Sequence, residues 1–251
     1  MEQKLSIVII NYNEEDNIGR CLDSVKAIAN EIIVIDSFST DRTEEICANY
    51  PVKFIKHAFE GHKEQKNFAI QQASADFILS LDADEALSPR LEEQIRTCDF
   101  SHDGYKINRL TNYQGAWIKH SGWYPDRKLR LVKKGYAQWS GENPHDRLEL
   151  LNSQDIGYLK GNLYHYSYKN LTDHAARTNN YSSIAAQEAY KKNNGYSTFK
   201  ILFSPVFIFV KKFLFQLGFL DGYNGFLIAG MAAYGKFLKY SKLRELYKYQ
   251  N

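Results

Sequence analysis

The chain has 251 residues, 44% of them hydrophobic and 24% charged, with 32 Lys+Arg against 29 Asp+Glu. That is enough for one sizeable core, or a compact domain with an appendage, and it argues against global disorder. A net charge of +3 is too small for a protein that coats nucleic acid.

The cysteines, Cys21, Cys47 and Cys98, are odd in number, far apart and without CxxC spacing. A disulfide framework or zinc ribbon is therefore not expected, and a reducing compartment is. The first residues, MEQKLSIVIINYN, lack the form of a signal peptide, so a cytoplasmic location is expected.

Residues 5–10 form a short β-branched run, the length of a buried strand. Asn13 then offers a helix cap, with Glu14, Glu15 and Asp16 in the first turn and Ile18, Cys21, Leu22, Val25 and Ile28 at helical spacing. A second strand is predicted at 32–35, ending at Asp36. Ser39 or Thr40 should cap a helix to about Asn49. A third strand follows at 52–55, a helix at 63–73, and a fourth strand at 77–81 ending in Asp82-Ala83-Asp84. Ser88-Pro89 reads as a cap with proline at the first helical position, opening a helix to about Thr97.

This alternation predicts right-handed βαβ units and a largely parallel sheet. Residues 103–166, rich in Tyr, Trp and Gly, suggest further strands and loops, and from about Leu171 the pattern is helical.

In open α/β sheets ligands sit beyond the carboxyl ends of strands. Asn11-Tyr12-Asn13, Asp36-Ser37 and Asp82-Ala83-Asp84 each follow a predicted strand, so they should share one sheet edge. Two aspartates one residue apart at a strand end suit Mg²⁺ or Mn²⁺ shared with a diphosphate; the rival reading is a solvated acidic turn. No Walker A lysine loop is present, and no GxGxxG follows the first strand, which removes the phosphate cradle of ATPases and Rossmann dehydrogenases.

The stretches LSIVIINYNEEDNIGRCLDSV, EIIVIDSFSTDRTEEI and GHKEQKNFAIQQASADFILSLDADE together resemble an inverting family 2 glycosyltransferase of the GT-A fold. RLTNYQGAWIKHSGWYPDRKLRLVKKG, PHDRLE, LYHYSYKN and GFLDGYNGF are similar to the lipopolysaccharide core β-glucosyltransferases of the WaaE or KdtX-like group. The resemblance implies a GT-A domain over residues 1–170, with a nucleotide-sugar half at 1–100 and an acceptor half at 101–170, followed by a helical region at 171–251. It implies a hexose, glucose from UDP-glucose foremost, moved onto a lipid-linked glycan of the inner core; the small net charge already speaks against a nucleic acid partner.

By the same resemblance, Tyr12, Asn13 and Asp36 would hold the base and ribose, and Lys63, Lys66 and Asn67 the nucleotide or its phosphates. Asp82 would face the ribose or donor sugar, and Asp84 would ligate the metal. An inverting transfer needs one general base. Asp146, in Pro144-His145-Asp146, matches that place, with Asp126 as rival. His145 would ligate the metal or orient Asp146, and Trp123, Tyr124, Arg127 and Arg130 would line the acceptor pocket. Two other readings remain open at this stage: a nucleotidyltransferase, whose glycine-rich basic loop NYNEEDN lacks, and a non-catalytic nucleotide-sugar-binding protein of the same fold.

Residues 198–240 are unusually apolar and aromatic, but Pro205 and Lys211-Lys212 interrupt them before the ~20 residues of a membrane span. With Lys236, Lys239, Lys242, Arg244 and Lys248 following, they read as interfacial helices on an anionic membrane surface. The expected location is peripheral, on the inner face of the cytoplasmic membrane.

Overall fold

Residues 3–141 and 146–249 are described by the computed structural model of the chain. Strands and helices are numbered in chain order. β1 (Leu5–Asn11) lies between β2 (Glu31–Asp36) and β4 (Phe77–Asp82), parallel to both, and β3 (Val52–Lys56) extends the sheet beyond β2. Both faces of β1 are covered, which is why it reads as a continuous apolar run and does not alternate. Ile7 and Ile9 pack with Ile18, Cys21, Leu22 and Val25 of α1 (Ile18–Val25). Val8 packs with Ile33, Ile35 and Ile78, and with Ala69 of α3 (His62–Gln72).

The register sets Asn11 opposite Asp36 and Ile10 opposite Asp82, so the predicted polar strand ends do share one edge.

Beyond β4 the strands run antiparallel. β8 (Asp126–Lys133) pairs with β4, and β6 (Gly104–Tyr113) pairs with β8. β11 (Ile156–Tyr168) and β5 (Glu85–Leu87) complete the order β3-β2-β1-β4-β8-β6-β11-β5, with β7 (Ala116–Trp117) on β6. β9 (Ala137–Ser140) and β10 (Arg147–Leu150) form a separate two-stranded ladder.

Local chemistry shifts two predicted helix starts. Asn13 does not cap α1. It takes φ +52°, and its Oδ1 accepts the Thr40 amide at 2.8 Å, while α1 begins five residues later. Ser39 does not cap α2 (Thr43–Cys47), because its hydroxyl and amide both donate to Asp36. Ser88 does cap α4 (Pro89–Arg96): its Oγ accepts the Leu91 amide at 3.3 Å, with Pro89 in the first turn.

Two compact units divide the chain: Met1–Leu110 with Asp126–Tyr166, and Thr111–Pro125 with Ser167–Asn251. In the second, α5 (Leu171–Lys191), α6 (Thr198–Val210) and α7 (Gly222–Tyr249) pack together, α7 against both others. Tyr113, Ile118 and Ile228 form one small core there, and Ala186, Ala189 and Leu243 another. Asp221 staples this unit by accepting the Lys119 and His120 amides and pairing with the His120 ring at 2.9 Å.

Candidate active site

At the end of β1, the Asn11 amide donates to Asp36 at 2.8 Å and to Ser39 Oγ at 3.1 Å. Asp36 is fully buried and also accepts the Ser39 hydroxyl at 2.5 Å and the Ser39 amide at 2.9 Å. Both of its oxygens are thereby engaged in ordering the loop after β2. Ser39 Oγ in turn accepts the Asn13 amide at 2.8 Å, so the two strand-end loops are tied together. Tyr12, at 58% exposure, presents its ring from this edge.

Beyond β4 a chain of alternating charges crosses the first unit. Asp146 Oδ2 lies 2.9 Å from Lys66 Nζ, which is 3.2 Å from Asp82 Oδ1. Asp82 Oδ2 lies 3.3 Å from Arg130 Nη2, which donates to Glu85 Oε1 at 2.7 Å. Arg109 Nη1 is 3.9 Å from that same Glu85 oxygen, and Arg109 also holds Asp126 at 2.9 Å. Lys128 ends the chain on Asp126 at 3.1 Å. The segments that contribute (α3, β4, β5, β6, β8 and the residue before β10) meet only because the parallel and antiparallel halves of the sheet adjoin at β4 and β8.

Burial sets the electrostatics. It would raise the Asp82 carboxyl, but the Lys66 and Arg130 charges outweigh it and hold Asp82 well below the usual carboxylate range. Glu85, 1% exposed, goes the other way: burial and the neighbouring Asp82 push it up despite Arg130. Burial opposes the Arg130 charge, yet Glu85 and Asp82 more than restore it, so Arg130 stays cationic.

Trp139 forms a platform for two of these cations, with Lys66 Nζ 4.2 Å and the Arg130 guanidinium carbon 5.3 Å from its ring centroid. Asn67 fixes that platform, bonding the Trp139 amide and carbonyl at 2.9 Å each.

Asp84 stands apart from this chain. Its Oδ2 lies 3.2 Å from His165 Nε2, and its carbonyl accepts the Tyr166 amide. The β5–β11 pairing, with His165 opposite Glu85, brings the two together. A carboxylate and an imidazole are ordinary donors for Mg²⁺ or Mn²⁺, which fill their remaining positions with water and phosphate oxygens. No group of three or more His, Cys, Asp or Glu side chains among the described residues could hold a metal by itself. Buried donors are also left over: Arg130 Nε and Nη1, Trp139 Nε1 and His165 Nδ1 have no hydrogen-bond partner among the described residues. Unsatisfied buried donors around carboxylates fit a site built for an anion arriving with a cation.

Over residues 6–153 the sequence matches the family model described as "Glycosyl transferase family 2". An uncharacterized glycosyltransferase of Rickettsia typhi is 32% identical over 97% of this chain and 88% of its own length. The chain belongs to glycosyl transferase family 2. A second relative of this family 2 glycosyltransferase is the lipopolysaccharide core biosynthesis glycosyltransferase LpsC of Rhizobium meliloti, 26% identical over 95% of this chain and 91% of LpsC. Among solved structures, glucosyl-3-phosphoglycerate synthase of Mycobacterium tuberculosis in complex with Mn²⁺ and UDP-glucose is 23% identical, with a TM-score of 0.36 over 45% of each chain. The mixed α/β architecture with its strand-end aspartates is the GT-A fold expected of the family.

The remaining expected site residues of this family 2 glycosyltransferase are placed as follows. Lys63 is half-buried beside Glu64, at 3.1 Å. Arg127 stacks on Tyr158 at 5.0 Å. Arg130, expected to face an acceptor, is 3% exposed and directed at Asp82 and Glu85. Trp123 and Tyr124 fall in the second unit, where Trp123 packs on Tyr168 at 5.5 Å. His145 lies outside the described residues.

Glu85, Arg109, Trp139 and His165 were not singled out from sequence. Two of them carried a signal: Glu85 adjoins the aspartate pair, and His165 sits in the alternating strand LYHYSY.

Proposed function

We propose that this chain is an inverting, divalent-metal-dependent hexosyltransferase that moves glucose from UDP-glucose onto a lipid-linked glycan of the lipopolysaccharide inner core. The observation that carries the reading is Lys66 bridging Asp82 and Asp146, which sets a base candidate beside the strand-end aspartates of the donor site. The similarity to LpsC, a lipopolysaccharide core biosynthesis glycosyltransferase, supports the acceptor class, and the family match supports glycosyl transfer.

In this reading Tyr12 stacks on the base, and Asp36 orders the loop that receives the ribose. Asp84 and His165 would hold Mg²⁺ or Mn²⁺, which would supply positive charge against the departing diphosphate. Lys66 exchanges Asp146 for a phosphate oxygen as the donor enters, leaving Asp146 free to accept a proton. The acceptor hydroxyl gives its proton to Asp146, its oxygen forms the new bond to the anomeric carbon, and the bond to the phosphate oxygen breaks with its electron pair leaving on UDP. Attack from the face opposite UDP inverts the anomeric centre. Asp126, held by Arg109 and Lys128, serves as a wall of the site and not as its base.

The test is a panel of nucleotide sugars read by thermal shift and then by transfer onto purified core glycolipid. UDP-glucose should stabilise the protein most. A larger shift from another nucleotide sugar overturns the donor, and transfer with retained configuration overturns the single-displacement mechanism.

A further inference from the structure

The second unit carries a surface that the transfer chemistry leaves unused. On α6, Phe199, Leu202, Phe203, Val206 and Phe207 follow i, i+3, i+4, i+7, i+8, the spacing of a stripe that ordinarily faces a core. Here that stripe is outside. Phe199 is 67% exposed, Phe207 68%, and no residue of α6 is buried. The opposite side packs inward, with Phe209 and, just beyond the helix, Phe213 against Phe226 of α7.

The apolar surface continues into the π-helical turn Lys211–Phe215 and the 3₁₀ turn Gly218–Asp221, where Phe215 is 79% and Leu220 57% exposed. A contiguous exposed patch of this kind marks an interaction site.

Charge identifies the occupant. From Lys191 to Tyr249 the only acidic residues are Asp221 and Glu245, against ten Lys and Arg. Asp221 is already held by His120. Lys200 and Lys211 are exposed and about three turns apart, so they lie along the same margin of the stripe. An apolar helical face with a basic margin is the form of a helix lying in the plane of an anionic membrane surface.

Geometry argues against a span. Among the described residues no single helix is long and apolar enough to cross a membrane, and Thr198–Phe215 meets Gly218–Tyr249 at a bend of 72°. α6 with the turn that continues it, Thr198–Phe215, is about 27 Å long and falls short of the ~30 Å hydrocarbon core. Close backbone approach fixes the bend: a Cβ on Gly225 would stand 1.8 Å from the Gly218 carbonyl oxygen.

We propose that α6 and the turn after it form a monotopic wedge that seats the second unit in one leaflet of an anionic bilayer. Phe207 and Phe215 enter the acyl boundary, and Lys200 and Lys211 pair with lipid phosphates. Of the cations expected to meet the membrane, Lys236, Lys239, Lys242, Arg244 and Lys248, Lys242 is already engaged within the unit, its Nζ on Asn179, Ser182 and Ser183. Lys212 Nζ is likewise spent on the Ser121 carbonyl. The wedge stands on the second unit alone and does not depend on what the donor site takes.

The test is flotation of the full chain with phosphatidylcholine vesicles, with and without phosphatidylglycerol. The wild type should float with both and more strongly with the anionic vesicles, the difference shrinking with salt. Phe207→Ser with Phe215→Ser should lose flotation on both while keeping the wild-type far-UV spectrum. Lys200→Glu with Lys211→Glu should bind anionic vesicles roughly tenfold more weakly and neutral ones unchanged. Leu202→Ser alone, at a stripe position 60% exposed, repeats the first comparison should the double variant misfold. The proposal is overturned by a wild type that ignores both vesicles, or by lysine variants that float like the wild type. It is also overturned by a concentration-dependent dimer that the phenylalanine changes abolish.

Discussion

Lys66 holds Asp146 at 2.9 Å and Asp82 at 3.2 Å with one ammonium group, across 80 residues of sequence in the first case. Two carboxylates that would repel are thereby kept together beside the strand edge. Removing the cation strips the largely buried Asp146 of this ion pair and leaves Asp82 to Arg130 alone, which is costly. Lys66→Met should lower the melting temperature, weaken UDP binding and reduce turnover at least tenfold. The measurement is calorimetric UDP affinity beside turnover; a variant with normal donor affinity removes Lys66 from the phosphate site.

The general base is a separate question. Deprotonation of the acceptor helps only in the transition state, so Asp146→Asn should spare donor binding and cost ~10²–10⁴ in turnover. Asp126→Asn should cost far less, because that carboxylate is committed to Arg109 and Lys128. Parallel turnover measurements on the two variants decide. A dead Asp126→Asn with an active Asp146→Asn reverses the assignment.

Asp36 behaves differently from what its place in the sequence suggests. A strand-end aspartate facing a cleft should bind ligand and contribute little to stability. Instead it accepts from Asn11 and twice from Ser39 at zero exposure. Asp36→Ala strands those donors and should cost about 1–3 kcal/mol for each one left buried and unpaired. Urea unfolding monitored by fluorescence measures this. An unchanged midpoint with lost UDP binding restores the direct ligand role.

These cases show what was legible in the chain. The apolar runs, their order and the aspartates after them were readable because burial on both faces leaves an uninterrupted β-branched signature. The fate of each polar side chain was not. Asn13, Ser39, Asn67 and Arg130 all have reasonable local uses as caps, phosphate contacts or acceptor contacts. The partners Thr40, Trp139 and Asp82 arrive from other strands and loops, 27 residues away for Asn13, 72 for Asn67 and 48 for Arg130, while Ser39 turns back on Asp36 only three residues before it. A charge inside the apolar run KLRLVK was the one local hint that Arg130 is buried. Nothing local marked Lys66 as different from a solvated lysine on a helix face.

The second unit carries a pH dependence of its own. Burial lowers His174 from 6.5 to about 4, with its Nδ1 3.0 Å from the Tyr113 hydroxyl. The fold therefore favours neutral imidazole. Its contribution is complete above the unfolded value near 6.5, shrinks as pH falls from there towards 4, and is gone below that. The loss over this window amounts to as much as about 3 kcal/mol. Proton NMR of the imidazole should give a midpoint near 4, and His174→Phe should flatten the stability profile between those limits. A midpoint near 6.5 removes the effect.

The last prediction concerns the metal pair. Asp84 and His165 face each other at 3.2 Å, so neither alone defines a site, and each should contribute to affinity separately. Asp84→Asn keeps the shape and removes the charge from a hard-cation ligand, and His165→Ala removes the nitrogen donor. Both should weaken Mn²⁺ binding in the presence of UDP, Asp84→Asn more, since charge dominates the affinity of oxygen ligands for such ions. Paramagnetic broadening of UDP resonances by Mn²⁺ reads this without relying on activity. Transfer by the wild type should stop on adding EDTA and return with Mn²⁺ or Mg²⁺. Loss of the metal in Asp84→Asn but wild-type binding in His165→Ala would reduce His165 to a partner that orients Asp84. Full transfer by the metal-stripped wild type would leave Asp84 and His165 as an ordinary ion pair, with Lys66 and Arg130 carrying the diphosphate alone.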